Sequence, residues 1–285
     1  MRRMSPLRRL LSIALVCAAG TAASAGPRTA LLTTLDGDAV VVRDGVKLAA
    51  VEGLALEGGD ILVTGAQTRL LRIEYPNGLA LALGPESQAL LEPHLDDETA
   101  YLLAGWAKLN VPKGVTTRLG GPGLEITATG AAAAVTALQA SAQRVFAESG
   151  TLDVKSRPAG AAAVTLATGQ MVTLDGAGAK PEVAPRATPA LVQAMPRAFM
   201  DSLPSRAAAF QGKDVVPKAL GPIAYADAEP WIDAEPALRR GFVKRWHALA
   251  KDAEFRRGLV AGLKAHPEWE PVLNPPRPAS DAAHR

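Results

Sequence analysis

Cysteine is all but missing from this chain: Cys17 is the only one in 285 residues. It lies in the N-terminal apolar segment, so the rest can build neither a disulfide framework nor thiol chemistry and must hold itself by burial alone. Aromatic residues are scarce as well, at 4 %. A core short of rings has to be filled with small aliphatic side chains, as in closely packed β-structure, and the 26 glycines and 22 prolines supply the turns. The four histidines are scattered, with no H-x-x-x-H spacing. No G-x-S-x-G nucleophile elbow occurs, and no pair of carboxylates is singled out for glycoside chemistry. The glycine-rich stretch GGDILVTG (58–65) is not a phosphate loop. Counted from Gly59, the second glycine falls on Thr64, and after Gly65 come Ala66 and Gln67 instead of Lys and Ser/Thr. It reads as a turn at Gly58-Gly59-Asp60, a short buried strand over Ile61, Leu62 and Val63, and a second turn.

Long apolar runs are missing too. The one candidate, Leu10 to Ala19, falls well short of the ~20 residues of a spanning helix. It follows Arg2, Arg3, Arg8 and Arg9 and precedes Ala23-Ser24-Ala25, the three parts of a secretory signal. Residues 1–25 are therefore expected to be removed before Gly26, giving a periplasmic or secreted protein. An uncleaved anchor and lipidation at Cys17 are the alternatives, and Val16 before that cysteine disfavours the second. Removal also changes the charge. The full chain has 31 basic and 28 acidic residues; without the four arginines it has 27 basic and a net charge of −1. No nucleic-acid partner follows from such a balance.

From Ala30 to about Leu174 apolar residues alternate. Leu71, Ile73 and Tyr75 face one way and Arg72 and Glu74 the other; after Pro76-Asn77-Gly78, Leu79, Leu81 and Leu83 continue the apolar face. That is a hairpin signature. Ala80 and Ala82 on the opposite side predict a strand covered on both faces. Further turn pairs stand at Asp44-Gly45, at GGPG before Leu124, at Ser149-Gly150 (read as another hairpin) and at Gly169-Gln170. The fold class expected is mainly β: an antiparallel two-sheet sandwich or elongated β-stack over 26–176, a Pro/Ala linker over 177–188, and a small α-helical region over 189–275 before a Pro-rich tail. In that region Asp233-Ala234-Glu235-Pro236 opens a helix carrying Leu238, Phe242, Trp246 and Leu249. Asp252 caps another with Phe255, Leu259 and Leu263, ended by His266-Pro267.

Charge divides with these regions. Residues 26–185 carry 12 basic and 17 acidic groups, and 186–285 carry 15 and 11. Arg239, Arg240, Lys244, Arg245, Arg256 and Arg257 crowd the two helices. They form either a polar face docked on the acidic β-region or, with Trp246 and Trp269, a surface for an anionic envelope component. Trp106, Trp231, Trp246 and Trp269 could stack on sugar; core anchors in an aromatic-poor region are the plainer reading. His94-Leu95-Asp96-Asp97-Glu98 gathers ligand types but reads as a loop between strands, and His266 reads as a helix end. No metal or cofactor is assigned.

The β-region resembles the FecR domain. The ordered pattern begins with G-x-x-V-x-V at Gly37–Val42 and continues with L-x-x-G-D-x-L-x-T-G at Leu56–Gly65. The Asn77-Gly78 turn, L-x-L-x-P-x-S at Leu81–Ser87 and Leu103-Ala104-Gly105 come next, then Glu148–Val154 and Leu166–Gln170. It covers roughly 31–175. The alanine-rich Gly130 to Leu138 departs from it, standing where the family has Gly-Thr and an aromatic, and its assignment as a strand stays open. In signalling members of the family a cytoplasmic segment restrains a sigma factor and a membrane helix leads to a periplasmic β-domain that senses an outer-membrane transporter. Only about nine residues precede the apolar run here. The resemblance therefore implies a stand-alone, non-catalytic periplasmic binding or sensing module whose partner is an envelope or outer-membrane protein. Envelope glycan or anionic lipid binding through the basic helices is the alternative, and a hydrolase the least favoured.

Overall fold

The computed structural model describes residues 28–93, 98–139, 142–157, 163–175 and 180–275. The expected signal segment, the tail after 275 and His94–Asp97 of the acidic loop lie outside them. Among the described residues the strands are β1 (Arg28–Asp36), β2 (Ala39–Arg43), β3 (Val46–Ala49), β4 (Ala55–Glu57), β5 (Ile61–Thr64), β6 (Leu70–Glu74), β7 (Ala80–Leu83), β8 (Gln88–Leu91), β9 (Ala100–Val111), β10 (Thr116–Gly121), β11 (Leu124–Thr129), β12 (Ala132–Gln139), β13 (Ala142–Ser149), β14 (Leu152–Ser156), β15 (Ala163–Leu166), β16 (Met171–Leu174), β17 (Glu182–Ala184) and β18 (Ala219–Pro222). The helices are α1 (Pro189–Ala194), α2 (Tyr225–Ile232), α3 (Pro236–Trp246), α4 (Ala253–Ala261) and α5 (Glu270–Leu273).

The strands form two sheets that share β9. One sheet runs β4-β1-β6-β7-β9-β12-β13-β16-β17. The other runs β18-β3-β2-β5-β8-β9-β10-β11-β14-β15. Pairing is antiparallel throughout, apart from a short parallel contact of Leu119 and Gly120 with Ala100 and Tyr101. The expected mainly-β fold with a small helical C-terminal part is thus present.

Strand β9 changes sheets at Gly105. Its first half pairs with β8 and its second with β7 and β12. Gly105 takes φ +88°, and a Cβ there would stand 2.5 Å from the Glu86 carbonyl oxygen and closer still to Ser87 Oγ. Hydrogen bonds tie this corner. Trp106 N donates to Ser87 Oγ (2.8 Å), Ser87 N donates to Thr64 Oγ1 (2.8 Å), and the Thr64 hydroxyl donates to the Gly84 carbonyl (2.7 Å). Thr64, Ser87 and Gly105 come from three separate pieces of the FecR-like pattern, and here they meet. Asp60, from the same piece as Thr64, is buried and accepts both Nε (2.9 Å) and Nη2 (2.6 Å) of Arg43, whose Nη1 reaches Glu57 (2.7 Å). The GGDILVTG stretch is therefore scaffold.

The hairpin at Asn77-Gly78 places Leu71 opposite Leu83 and Ile73 opposite Leu81, with Gly78 at φ +85°. The Ser149-Gly150 turn corrects the sequence reading. Strands β13 and β14 are not paired; β13 lies between β12 and β16 in one sheet, β14 between β11 and β15 in the other. The apolar sides of both strands, Val145 and Ala147 on one and Leu152 and Val154 on the other, point into the same inter-sheet core. The strands therefore stack face to face. The alanine-rich segment is a central strand, β12, buried on both sides. Its small side chains let a layer pack closely on each face.

Three apolar clusters follow. One fills the space between the sheets, from Leu32 to Leu174. A second lies outside the first sheet, where Ala82, Trp106, Val135 and Met171 meet Leu191, Met195 and Phe199. A third lies outside the second sheet, where Val42, Ile61, Leu90 and Tyr101 meet Trp231, Phe242 and Trp246. The double coverage foreseen for β7 extends to much of both sheets. The segment expected as a linker contributes β17, and the region expected as helical contains a long stretch without α-helix, 201–222, broken by the short 3-10 segment Ala207–Phe210. That stretch is a strap. Its backbone carbonyls at Leu203 and Pro204 accept from buried Arg72 (3.0 and 2.9 Å), and just ahead of it the Phe199 carbonyl accepts from buried Lys108. Glu74 accepts from the Ser205 hydroxyl and from Arg206 N (3.1 Å), and Arg206 pairs with Glu52. The strap then joins the second sheet as β18 beside β3.

Two measurements check this account. Gly105→Ala is expected to lower unfolding stability in urea by about 3–5 kcal/mol, combining a left-handed Cβ penalty with overpacking. Gly169→Ala, also at positive φ but in open space, should cost only about 1–2 kcal/mol. Desolvation pushes the Glu74 carboxyl up, but Ser205, Arg206 N, Thr33 and the charge of Arg72 together hold it below the ordinary glutamate value. Its contribution is then complete above the unfolded-state pKa and is lost as pH falls through the lower folded value. The stability slope below about pH 4.5 should flatten in Glu74→Gln.

Candidate interaction surface

The helical cap is held by apolar side chains at helical spacing. Leu238, Phe242 and Trp246 form the buried face of α3, and Phe255 and Leu259 that of α4. Asp252 caps α4 as expected, accepting from Glu254 N (3.0 Å) and Phe255 N (2.9 Å). Glu235 precedes Pro236 at the start of α3, yet its carboxylate does not cap. It accepts from Arg157 Nη1 (2.7 Å) and Gly123 N (3.3 Å), and so ties the cap to the far half of the second sheet. Arg157 also bonds buried Glu98, the described end of the acidic loop, and lies over the Tyr101 ring. Helix α4 stops at Ala261, earlier than the sequence implied, with Gly262 as its C-cap, where a Cβ would stand 2.6 Å from the Tyr225 and His266 side chains. His266 is fully buried, with Nδ1 2.7 Å from Asp233 Oδ1 and Nε2 3.1 Å from the Leu259 carbonyl oxygen. It ties segments together and does more than end a helix.

The sequence-derived surface divides into two groups. Arg239, Arg245 and Arg256 are half-buried and hold the fold. Arg239 donates to the Ala265 carbonyl (2.8 Å) and pairs with Glu268 (2.9 Å). Arg256 donates to the Leu273 carbonyl (2.5 Å). Arg245 lies against Gly59, where burial pulls its pKa down against the opposing charges of Asp44 and Asp60. Arg240, Lys244 and Arg257 are exposed, Arg257 beside Glu254. Trp246 and Trp269 leave the surface altogether, at 1 % and 0 % exposure. Each sits where the helical stripe meets the core, in one apolar cluster with Trp231, Phe242 and Phe255. Trp231 is equally buried, so no sugar-stacking platform forms.

Ion pairs join the two regions at Lys47–Asp227 (2.8 Å), Arg157–Glu235 and Arg206–Glu52; only the last sets a base of the basic region against an acid of the acidic one, so individual partners and not net regional charge place these contacts. Sequence reasoning missed Arg157, Arg72 and Lys108, whose polarity gave no sign that they sit under another layer of chain. Among the described residues no three His, Cys, Asp or Glu side chains are placed to hold a metal, and no helix is long and apolar enough to cross a membrane. Between the second sheet and α2 lies a cavity of about 260 Å³ lined by Val40, Val42, Ile61, Val63, Trp231 and Trp246, with Lys47, Gln88 and Asp227 as its polar members. A wider cleft of about 580 Å³ runs beneath Phe210 in the strap.

Paired charge reversals separate the two groups of basic residues. Arg240→Glu with Lys244→Glu should leave stability within about 0.5 kcal/mol, as for exposed sites. Arg239→Glu with Arg256→Glu should lower the melting temperature of the whole chain, with a loss of about 2–4 kcal/mol from carbonyls left without donors and from misplaced charge. Thermal unfolding followed by circular dichroism distinguishes them.

No protein-family model and no curated protein matches the chain. Among solved structures, two crystal structures, each of a candidate anti-sigma factor from Parabacteroides distasonis and at 1.65 and 2.50 Å resolution, are similar to it. The TM-scores are 0.37 and 0.38 at 14 % and 13 % identity, covering 44 % and 46 % of this chain and 58 % and 63 % of theirs. The match thus spans less than two thirds of either neighbour.

Proposed function

We propose that the chain is a non-catalytic interaction or sensing module of the cell envelope, working in the periplasm and engaging a protein partner. One observation carries the reading. The residues that make the FecR-like pattern, Asp60, Thr64, Ser87 and Gly105, are consumed in holding two sheets together. The pattern is therefore a scaffold, and what it presents outward is surface. That surface includes the exposed basic residues of the cap and the outermost strands β15 and β17. A strand edge with free N–H and C=O groups is a template for a partner strand.

The same basic residues favour a second reading, contact with an anionic glycan or lipid headgroup. A photoreactive residue placed at Arg240, Lys244 or Arg257 in intact cells should give a discrete adduct with one envelope protein. A control at Gly114, on an open turn, should not. Equal adducts at all sites would count against a specific partner. Loss of sedimentation with phosphatidylglycerol vesicles or peptidoglycan in Arg240→Glu/Lys244→Glu, with no protein adduct, would move the assignment to the second reading.

A further inference from the structure

We infer that a trough on the outer face of the first sheet binds a small organic carboxylate, held on one edge of the Arg72 guanidinium. Strand register puts Arg72 of β6, Ala82 of β7 and Lys108 of β9 in one row across the sheet. Neighbouring strands lie about 4.8 Å apart, so the two cations rise roughly 10 Å from each other with only a methyl group between them. Residues 198–203 pass over this row and leave a space of about 450 Å³ between themselves and the sheet. That is room for a small organic molecule.

The guanidinium points to a carboxylate. Arg72 is 8 % exposed, and its Nη1 is used twice, on the Leu203 and Pro204 carbonyls. Its Nε and Nη2 donate to no described residue and remain in contact with solvent. Those two nitrogens form the side-on edge of the fork, whose parallel N–H groups match the paired oxygens of a carboxylate. Among the described residues no acid reaches that edge. Glu74 approaches Nη1 instead, at 3.7 Å, and is engaged by Thr33, Ser205 and Arg206 N. Lys108 is held by Glu148 and the Phe199 carbonyl and adds its charge at depth. The acids of the lining stand farther out, Glu148 at 37 % exposure and Asp201 on the surface. Leu70, Ala82, Ala133 and Phe199 give the lining hydrocarbon, which suits a short apolar tail better than a bare inorganic ion. The site is independent of the envelope-partner reading, and failure of the cross-linking would leave it intact.

The test uses the full chain labelled with nitrogen-15 arginine and observed by NMR at constant ionic strength, with butyrate, butyramide and inorganic phosphate as probes. Butyrate and butyramide are nearly equal in size and differ in charge. Butyrate should shift the Arg72 Nε–H resonance saturably, that resonance being identified by its loss in Arg72→Lys. Butyramide should bind at least about tenfold more weakly, since it offers one acceptor and no charge. Phosphate should also bind more weakly than butyrate, having no tail for the hydrocarbon of the lining. Arg72 also anchors the strap, so a second pair of variants is placed at Asn110, an exposed lining residue on β9. Asn110→Asp should weaken butyrate about threefold and Asn110→Lys strengthen it by as much, both with the melting temperature unchanged. No shift at Arg72, a shift shared by all arginines, or equal binding of butyramide would each overturn the assignment. So would tighter binding of phosphate, or equal affinity for butyrate in the two Asn110 variants.

Discussion

Each sheet of this protein carries apolar side chains on both faces, so four surfaces rather than two have to be kept from water. Stacking the sheets disposes of the inner pair. The outer pair determines everything after residue 185. Leu191, Met195 and Phe199 are laid over one sheet, and the tryptophan-bearing helices over the other. Burying a Trp, Phe or Leu side chain is worth about 1.5–3 kcal/mol, whereas an exposed ion pair such as Lys47–Asp227 gives about 0–1. Burial therefore supplies the adhesion, and the ion pairs between the acidic and basic regions fix where the cap sits.

The strap works by the opposite means. Between Asp201 and Lys218 most residues are exposed, and large side chains with purchase on the sheets are few. What holds it is charge on the outer face of the first sheet: Arg72 and Glu74 are answered by strap backbone and by Ser205, while Lys108 fixes the Phe199 carbonyl just ahead of the strap. Charge-assisted bonds in a partly desolvated setting are the stronger kind. They also explain how three charged residues can sit at 6–8 % exposure without being left unpaired.

Much of this was readable from residues alone, and what was not has a common cause. Alternation of period two, Asn77-Gly78 and Asp44-Gly45 disclosed strands and tight turns because those signals are local. Asp252 disclosed its helix for the same reason. The Ser149-Gly150 error was one of partner choice: a glycine turn between two alternating runs looks alike whether the strands pair or stack, and only the whole core decides. Nothing near Arg72 and Lys108 in sequence indicates the second layer of chain that covers them. The basic residues of the two helices were legible by their spacing alone. Their division into fold-holding and outward-facing members depends on carbonyls at Ala265 and Leu273 that follow each arginine by many residues.

The cap lies on strands made long before it. Val42, Ile61, Leu90 and Tyr101 come from the first 101 residues, yet their outward faces are covered by side chains between Ile223 and Leu273, and β3 gains its outer neighbour only from Ala219–Pro222. During synthesis the early strands can pair and close their inner core while one sheet still shows a bare hydrophobic back. Such a half-dressed intermediate invites association with other chains until the ribosome has delivered the closing helices. The order of assembly, more than the final stability, is therefore where this molecule is most exposed to misfolding.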